Sequence, residues 1–289
     1  MKISWASDIH LNFLSDKNRI KFIKDLNASP TDAILITGDI GEYDSKFFFL
    51  KEIDKYVSKP TFFVLGNHDY YQTQNKSVKM IREELSSVRF KHAMWLQKYG
   101  FLELDDDTII IGIDSWADGR EGDILNSPVF MNDHRYIDDF HKEGEKLRGK
   151  KLFTDYELKK SLDYKKVIAE KHKELADKDA QTLKDALEKC ITEHIKKVII
   201  ATHVPPFKEG SRYAGKISGI DYLPFYCSKV TGEVILEVVK QHPEVKFLSL
   251  SGHSHQEANY SPVPNLQCRT AEAAYHFPKF EIIDIEDIK

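Results

Sequence analysis

Residues 61–69 read TFFVLGNHD: Thr61, Phe62, Phe63, Val64 and Leu65, then Gly66, then Asn67, His68 and Asp69. A short continuous apolar run is the pattern of a strand covered on both faces, as in a parallel sheet. The polar residues after it are unusual. An amide, an imidazole and a carboxylate stand together where the strand leaves the sheet, and in open α/β sheets ligands bind outside the carboxyl ends of the strands.

The pattern recurs along the chain. Residues 3–7 run into Asp8-Ile9-His10, and residues 33–37 (AILIT) into Gly38-Asp39. Residues 198–202 (VIIAT) run into His203, and 245–250 (VKFLSL) into Ser251-Gly252-His253-Ser254-His255. Helical spacing fills several intervals: from Ser15 or Asp16 through Leu26, 46–57 stopped by Pro60, 77–85, and 232–240. The β-α-β-α-β order implies parallel strands joined by right-handed crossovers. Residues 101–104 and 108–113, flanking Asp105-Asp106-Asp107, predict a hairpin, and 279–285 alternate as a late antiparallel strand. The fold class is α/β, or α+β by some schemes.

The spacings suit a metal. Asp8 and His10 are two apart, so in extended chain they point the same way, and so are His253 and His255. Gly38, Gly66 and Gly252 each precede a candidate ligand, where the chain must turn beside a crowded centre. The donors are oxygen and imidazole nitrogen without thiolate, which favours Mn, Fe, Zn, Co or Ni over a structural zinc site or Ca. Asp8, His10, Asp39, Asn67, His203, His253 and His255 are too many for one ion. Two ions about 3.5–4 Å apart, bridged by a carboxylate, would use all seven. Two divalent ions outweigh Asp8, Asp39 and a bridging hydroxide, so the crevice would be positive and suited to phosphate.

These five blocks, in order and each after an apolar strand, resemble the signature of the calcineurin-like metallophosphoesterase superfamily. The resemblance implies a four-layer αββα sandwich, with two mixed sheets face to face and helices outside. It implies Asp8, His10 and His255 on one metal, Asn67, His203 and His253 on the other, Asp39 as bridge, and His68 as the catalytic histidine that binds no metal. Ser254 stands where relatives more often have Thr. Asp69 is expected to orient the His68 ring as a carboxylate partner. The expected chemistry is attack of a metal-bridging hydroxide on phosphorus, with His68 protonating the leaving group.

Composition sets the limits. The chain has 289 residues, 42 Lys or Arg against 46 Asp or Glu, a net charge of −4, and 41% hydrophobic residues. That excludes long disorder and gives no reason to expect a nucleic-acid or membrane partner. Cys190, Cys227 and Cys268 share no CxxC spacing and suggest a reducing compartment. Residues 1–13 place Asp8 and His10 where a signal peptide needs apolar residues, and no apolar run spans a membrane, so the expected location is cytoplasmic.

Other segments carry weaker expectations. The loop 115–120 would overhang the site, with Trp116 stacking and Arg120 meeting phosphate. Residues 210–217 (GSRYAGKI) miss the phosphate-binding GxxxxGK[ST] pattern, because Ile217 lacks the hydroxyl; Arg212 and Tyr213 stay available to substrate from a loop after His203. Residues 141–197 hold 16 Lys or Arg and 12 Asp or Glu. We expect one domain over 1–289 with a helical insertion or cap at about 135–196, whose first part Gly144 and Gly149 would break. A purple-acid-type phosphatase would want Tyr three residues after the bridging Asp, and Glu42 stands there, with Tyr43 one later. The expected function is hydrolysis of a phosphate mono- or diester, on a small molecule. The alternatives are a protein or nucleic-acid phosphoesterase, or a non-catalytic metal-binding scaffold. No protein partner is indicated.

Overall fold

The computed structural model describes residues 1–288 except 43–44, 73 and 149–154. Its strands are β1 (Lys2–Ala6), β2 (Ala33–Thr37), β3 (Thr61–Val64), β4 (Ala93–Trp95), β5 (Phe101–Glu103), β6 (Thr108–Gly112), β7 (Lys197–Ala201), β8 (Arg212–Tyr213), β9 (Lys216–Ile217), β10 (Lys246–Ser251), β11 (Ala258–Val263), β12 (Leu266–Thr270) and β13 (Glu281–Asp284). One sheet has the order β13-β1-β2-β3-β4 and a second β11-β12-β10-β7-β6-β5. Both are mixed: β13 lies antiparallel on β1, and β5 antiparallel on β6, beside parallel neighbours. The apolar runs at 33–37, 61–65, 198–202 and 245–250 are the central parallel strands.

The alternation of side chains along each strand builds four layers. Ala33 and Leu35 of β2 face Ile199 and Ala201 of β7 and Leu248 and Leu250 of β10 in a core between the sheets. Ile34 and Ile36 face the other way, onto Phe22, Ile23 and Leu26 of helix Asp16–Ala28 and Phe49, Leu50 and Ile53 of helix Ser45–Tyr56. On the far side, Val198 and Ile200 meet Leu183 and Leu187 of helix Leu162–Cys190 and Ile235, Val238 and Val239 of helix Lys229–Gln241. Ser15, Ser77 and Ser161 each cap a helix by accepting an N–H three residues on.

The long charged stretch is largely helical: Asp133–Tyr136, Asp138–Arg148, Asp155–Lys160 and Leu162–Cys190. Gly144 does not break it. It sits inside helix Asp138–Arg148 against the Tyr164 ring, where a Cβ would come within 3.1 Å. Gly149 lies outside the described residues. The predicted helix 232–240 begins three residues earlier, at Lys229. The strand β4 and the hairpin β11–β12 have no counterpart among the sequence expectations.

Two histidines join this helical layer to the rest. His172 donates from Nδ1 to the Ala117 carbonyl (2.9 Å), so its Nε2 accepts from His134 Nε2 (3.1 Å). His134 Nδ1 is left buried without a partner. Both rings are buried beside Phe140 and Phe225, and burial pushes both well towards the neutral form. In the unfolded chain they titrate near 6.5. Below that pH the unfolded chain takes up protons that the folded one refuses, so stability falls. The expected slope is up to ~1.4 kcal/mol per pH unit for each ring. Thermal midpoints measured from pH 7.5 to 5.0 should drop, and His134→Phe should drop less steeply; a flat wild-type profile contradicts the pairing.

Candidate metal centre

Five strand ends converge at one edge of the sandwich. β1, β2 and β3 deliver Asp8 with His10, Asp39, and Asn67 with His68 from one sheet. β7 and β10 deliver His203 and the pair His253 and His255 from the other. Backbone hydrogen bonds stitch the loops together: Asp8 N to Gly38 O (3.0 Å), His10 N to Asp39 O (2.9 Å) and Gly252 N to His203 O (2.9 Å). The crowding leaves no room for side chains at the glycines. A Cβ on Gly66 would lie 2.1 Å from Asp39 Oδ1, and one on Gly252 would lie 1.9 Å from Ser7 Oγ and 2.2 Å from Asp8 Oδ2.

Strain accompanies the convergence. Asp8, His10, Asp39, His253 and His255 all have positive φ, between 38° and 69°. Left-handed backbone costs a non-glycine residue of order 1–2 kcal/mol, and five such residues in one site need a compensating gain.

The side chains are aimed by their outer atoms. His203 Nδ1 donates to Thr37 O (2.9 Å), which turns Nε2 inward to 3.0 Å from Asn67 Oδ1 and 3.5 Å from Asp39 Oδ1. Asn67 Nδ2 donates to Asp133 Oδ1 (2.8 Å), which leaves its Oδ1 facing the cluster. His253 Nε2 donates to Phe225 O (2.9 Å). Such outer partners fix ring orientation and tautomer at metal sites. His10 is 1% exposed, yet neither ring nitrogen has a hydrogen-bond partner, and Nε2 lies 3.7 Å from Asp39 Oδ2. Asp8, His10, Asp39 and His255 each bring one donor atom within 4.8 Å of the others. A buried imidazole with two orphaned nitrogens beside two carboxylates fits a cation.

Electrostatics agree. Burial alone would raise both carboxyls, but His255, His203 and His10 hold Asp8 well below the usual carboxylate range, and His203, His68 and His10 lower Asp39. Burial pulls His10 down to about 4, against the attraction of Asp39 and Asp8. Burial and His203 together bring His253 down to about 4. Neutral imidazole is the ligating form.

His68 stands apart. Its Nδ1 donates to Glu42 Oε1 (2.7 Å), its Nε2 lies 4.0 Å from Asp39 Oδ2, and its ring stacks on Tyr71. Burial opposes its charge, but Asp39 and the Glu42 hydrogen bond outweigh it and push the ring up to about 9. The carboxylate that orients His68 is therefore Glu42, and the expected Asp69 contact is corrected. Asp69 accepts from Ile40 N, Gly41 N and Gly66 N (2.8–3.2 Å), bracing the turn after β2 against the turn after β3. Burial and the nearby Asp39 raise its carboxyl to about 7.

The overhanging loop also needs correction. Trp116 is 3% exposed and packs on Tyr70 and Phe140. Arg120 is paired with Asp118 and, through two bonds of 2.7 and 2.9 Å, with Asp177. Arg212 donates to Glu209 O, and Tyr213 points to solvent from the β8–β9 hairpin, 78% exposed. None of the four lines the metal cleft. Pro128 to Asn132, Tyr71, Tyr222, Tyr226 and Tyr275 line it instead. Ser254 donates to Gly210 O (3.1 Å), tying the last ligand loop to the segment after His203.

Beneath the site, the Asp114 carboxylate accepts from Leu65 N (2.7 Å), Trp95 Nε1 (2.9 Å), the Tyr70 hydroxyl and Arg82 (3.1 Å). The Asp114 carbonyl accepts His203 N (3.1 Å). Arg82 forks onto Asp179 of helix Leu162–Cys190 at 2.7 and 2.8 Å. One residue thus holds the strand ends that carry Asn67 and His203.

Comparison with known proteins agrees with this geometry. The family model for calcineurin-like phosphoesterases matches residues 1–257. An uncharacterized metallophosphoesterase from Aquifex aeolicus is 27% identical over 188 residues, 62% of this chain and 58% of that protein. Another, from Campylobacter jejuni, is 30% identical over 92 residues, 29% of this chain and 23% of that protein. The chain thus spans little more than half of the first relative's length and under a quarter of the second's. Among solved structures, the phosphopantetheinyl hydrolase PptH of Mycobacterium tuberculosis has a TM-score of 0.59 at 12% identity, covering 95% of this chain and 90% of that one. A dimetal phosphatase from Danio rerio has a TM-score of 0.56 at 14% identity, covering 98% and 91%. At these identities the likeness is one of fold. The family match over most of the chain, on top of the five-strand ligand set, makes this protein a member of the calcineurin-like phosphoesterase family.

Proposed function

We propose that the chain hydrolyses a phosphate mono- or diester at two divalent cations. Asp8, His10 and His255 would hold one, Asn67, His203 and His253 would hold the other, and Asp39 would be shared between them. The observation that carries this reading is the His10 imidazole, buried with neither nitrogen hydrogen-bonded among Asp8, Asp39 and His255. When bound, such cations supply a nucleophile from water at neutral pH and offset charge on the phosphoryl oxygens.

The protein's own residues do the rest. Glu42 fixes the His68 tautomer, so that Nε2 faces the cleft with a proton to give the departing oxygen. His68 donates that proton, or hydrogen-bonds the phosphoryl oxygen. His68→Asn should lower kcat by about 10²–10⁴-fold. Glu42→Gln should cost less, because the ring keeps its place against Tyr71. A pH–rate profile that is unchanged in both variants contradicts the assignment. Three buried, unpaired cysteines fit a reducing compartment, and we read the chain as one domain and the location as cytoplasmic. Among the described residues, no helix is long and apolar enough to cross a membrane.

A panel of chromogenic mono- and diesters, assayed with Mn, Fe, Zn, Co or Ni, tests the reading. Metal-dependent turnover supports it. Absence of turnover with every ion favours a non-catalytic metal-binding scaffold.

A further inference from the structure

The cleft over the ligand cluster has a volume of about 670 Å³, a size suited to a small organic ligand. Its wall is aromatic on each side of the cluster. Tyr71 stacks on His68 with ring centroids 4.4 Å apart, Tyr226 lies 4.8 Å from His253, and Tyr275 lies 4.7 Å from His10 and 5.1 Å from His255. Tyr222 stands at the mouth, 53% exposed, and Tyr275 is 43% exposed, so both offer ring faces to an incoming molecule.

The charge of the wall is as informative. Among the described residues lining the cleft there is no lysine or arginine, and Asp39 is the sole carboxylate. A second phosphate, a carboxylate or a nucleic-acid backbone on the substrate would find no lysine or arginine there, and the His68 ring that lines the cleft is already hydrogen-bonded to Glu42. Proteins meet such groups with Arg or Lys, which bind them by charge-assisted hydrogen bonds. The two arginines expected near substrate lie outside the lining: Arg120 is paired with Asp118 and Asp177, and the Arg212 Nε donates to the Glu209 carbonyl.

From this wall we infer that the substrate is a small phosphoester whose organic part is uncharged and carries a flat ring, held by Tyr222 and Tyr275 while the single phosphoryl group meets the metals. The inference rests on the phosphoesterase reading above and adds the class of leaving group. Tyr222 and Tyr275 are the specificity-determining residues, because they are the exposed tyrosines among the described residues lining the cleft. Offset or edge-on stacking of one ring is worth about 0.5–1.5 kcal/mol beyond the area it buries.

The test compares leaving groups of similar basicity, so that intrinsic reactivity does not decide the result. With metal-loaded protein, kcat/KM is measured for 2-naphthylmethyl phosphate, butyl phosphate and 4-carboxybutyl phosphate, whose leaving alcohol carries a second anion. The ring-bearing ester should exceed butyl phosphate by about tenfold, and 4-carboxybutyl phosphate should be the poorest of the three. In Tyr222→Ala and Tyr275→Ala the ratio of ring-bearing to butyl ester should fall towards one. A wild-type ratio near one, a preference for 4-carboxybutyl phosphate, or a ratio that survives both substitutions overturns the inference. Calorimetry with 2-naphthylmethylphosphonate and butylphosphonate reads the same preference without turnover. If no ester is hydrolysed but the ring-bearing phosphonate binds more tightly, the phosphoesterase reading fails and the ligand class stands. Equal phosphonate affinities overturn the ligand class.

Discussion

Asp39→Asn should reduce phosphoester hydrolysis by about 10³-fold or more, while the metal-free protein stays folded. Asp39 lies within reach of His10, His68 and His203, and its Oδ1 also accepts the His68 backbone N–H at 2.9 Å. A bridging carboxylate lost from a two-cation site removes several kcal/mol of stabilisation of charge on the phosphoryl group, and each ~1.4 kcal/mol is tenfold in rate. Folding responds differently. Asp8 and Asp39 are like charges in one buried pocket, and Asp8 opposes the ionisation of Asp39. Removing the Asp39 charge relieves that repulsion but also removes the attraction of His203, His68 and His10, which outweighs it. The metal-free variant should therefore melt somewhat below metal-free wild type at neutral pH, and should lack the wild type's gain on adding metal. That gain is about 2.7 kcal/mol at a hundredfold excess over Kd. A variant that retained both turnover and the gain would place the metals elsewhere.

Asp114→Ala should be the most destabilising single substitution in the region, by about 3–5 kcal/mol. The carboxylate is buried and serves Leu65 N, Trp95 Nε1, Tyr70 and Arg82 together. Its loss strands a buried N–H at the end of β3, one residue before Gly66, and leaves Arg82 with Asp179 and the Tyr70 hydroxyl. The melting midpoint should fall on the order of 10 °C for a domain of this size. Asp114→Asn keeps the shape and an acceptor, so it should fall less. If Asp114→Ala melts within a degree or two of wild type, Asp114 is not the brace between the ligand-bearing strand ends.

Much of the site was legible because burial makes its own signal. β2, β3 and β7 are covered on both faces, so each reads as an unbroken apolar run, and polar residues at its end have no packing reason to be there. What escaped was of two kinds. Some partners are distant in the chain, such as Arg82 and Asp179, which are 97 residues apart, or Asn67 and Asp133. No spacing rule links them. Others lie where local pattern is weak. β4 has three residues, and β11 alternates exposed and half-buried positions without an apolar stripe.

The corrections share a cause. Asp69 and Glu42 are both carboxylates near His68, and adjacency in sequence favoured Asp69. In the structure the tight turn His68–Tyr70 carries the Asp69 side chain back under the Gly66 and Ile40 amides, while the turn after Asp39 brings Glu42 to the ring. Trp116 and Arg120 follow a strand end as the ligands do, but the helix Leu162–Cys190 covers that end and supplies Asp177 to Arg120. Distance from a strand end was readable; which layer covers it was not.

The central claim is that two cations at Asp8, His10, Asp39, Asn67, His203, His253 and His255 make the protein a phosphoesterase. It is tested most directly by stripping the protein with a chelator, adding back Mn, Fe, Zn, Co or Ni in steps, and measuring bound metal per chain together with ester hydrolysis. The account predicts no turnover in the stripped protein and a rise that levels off at about two ions per chain. Turnover without metal, a plateau at one ion, or full loading without hydrolysis would contradict it.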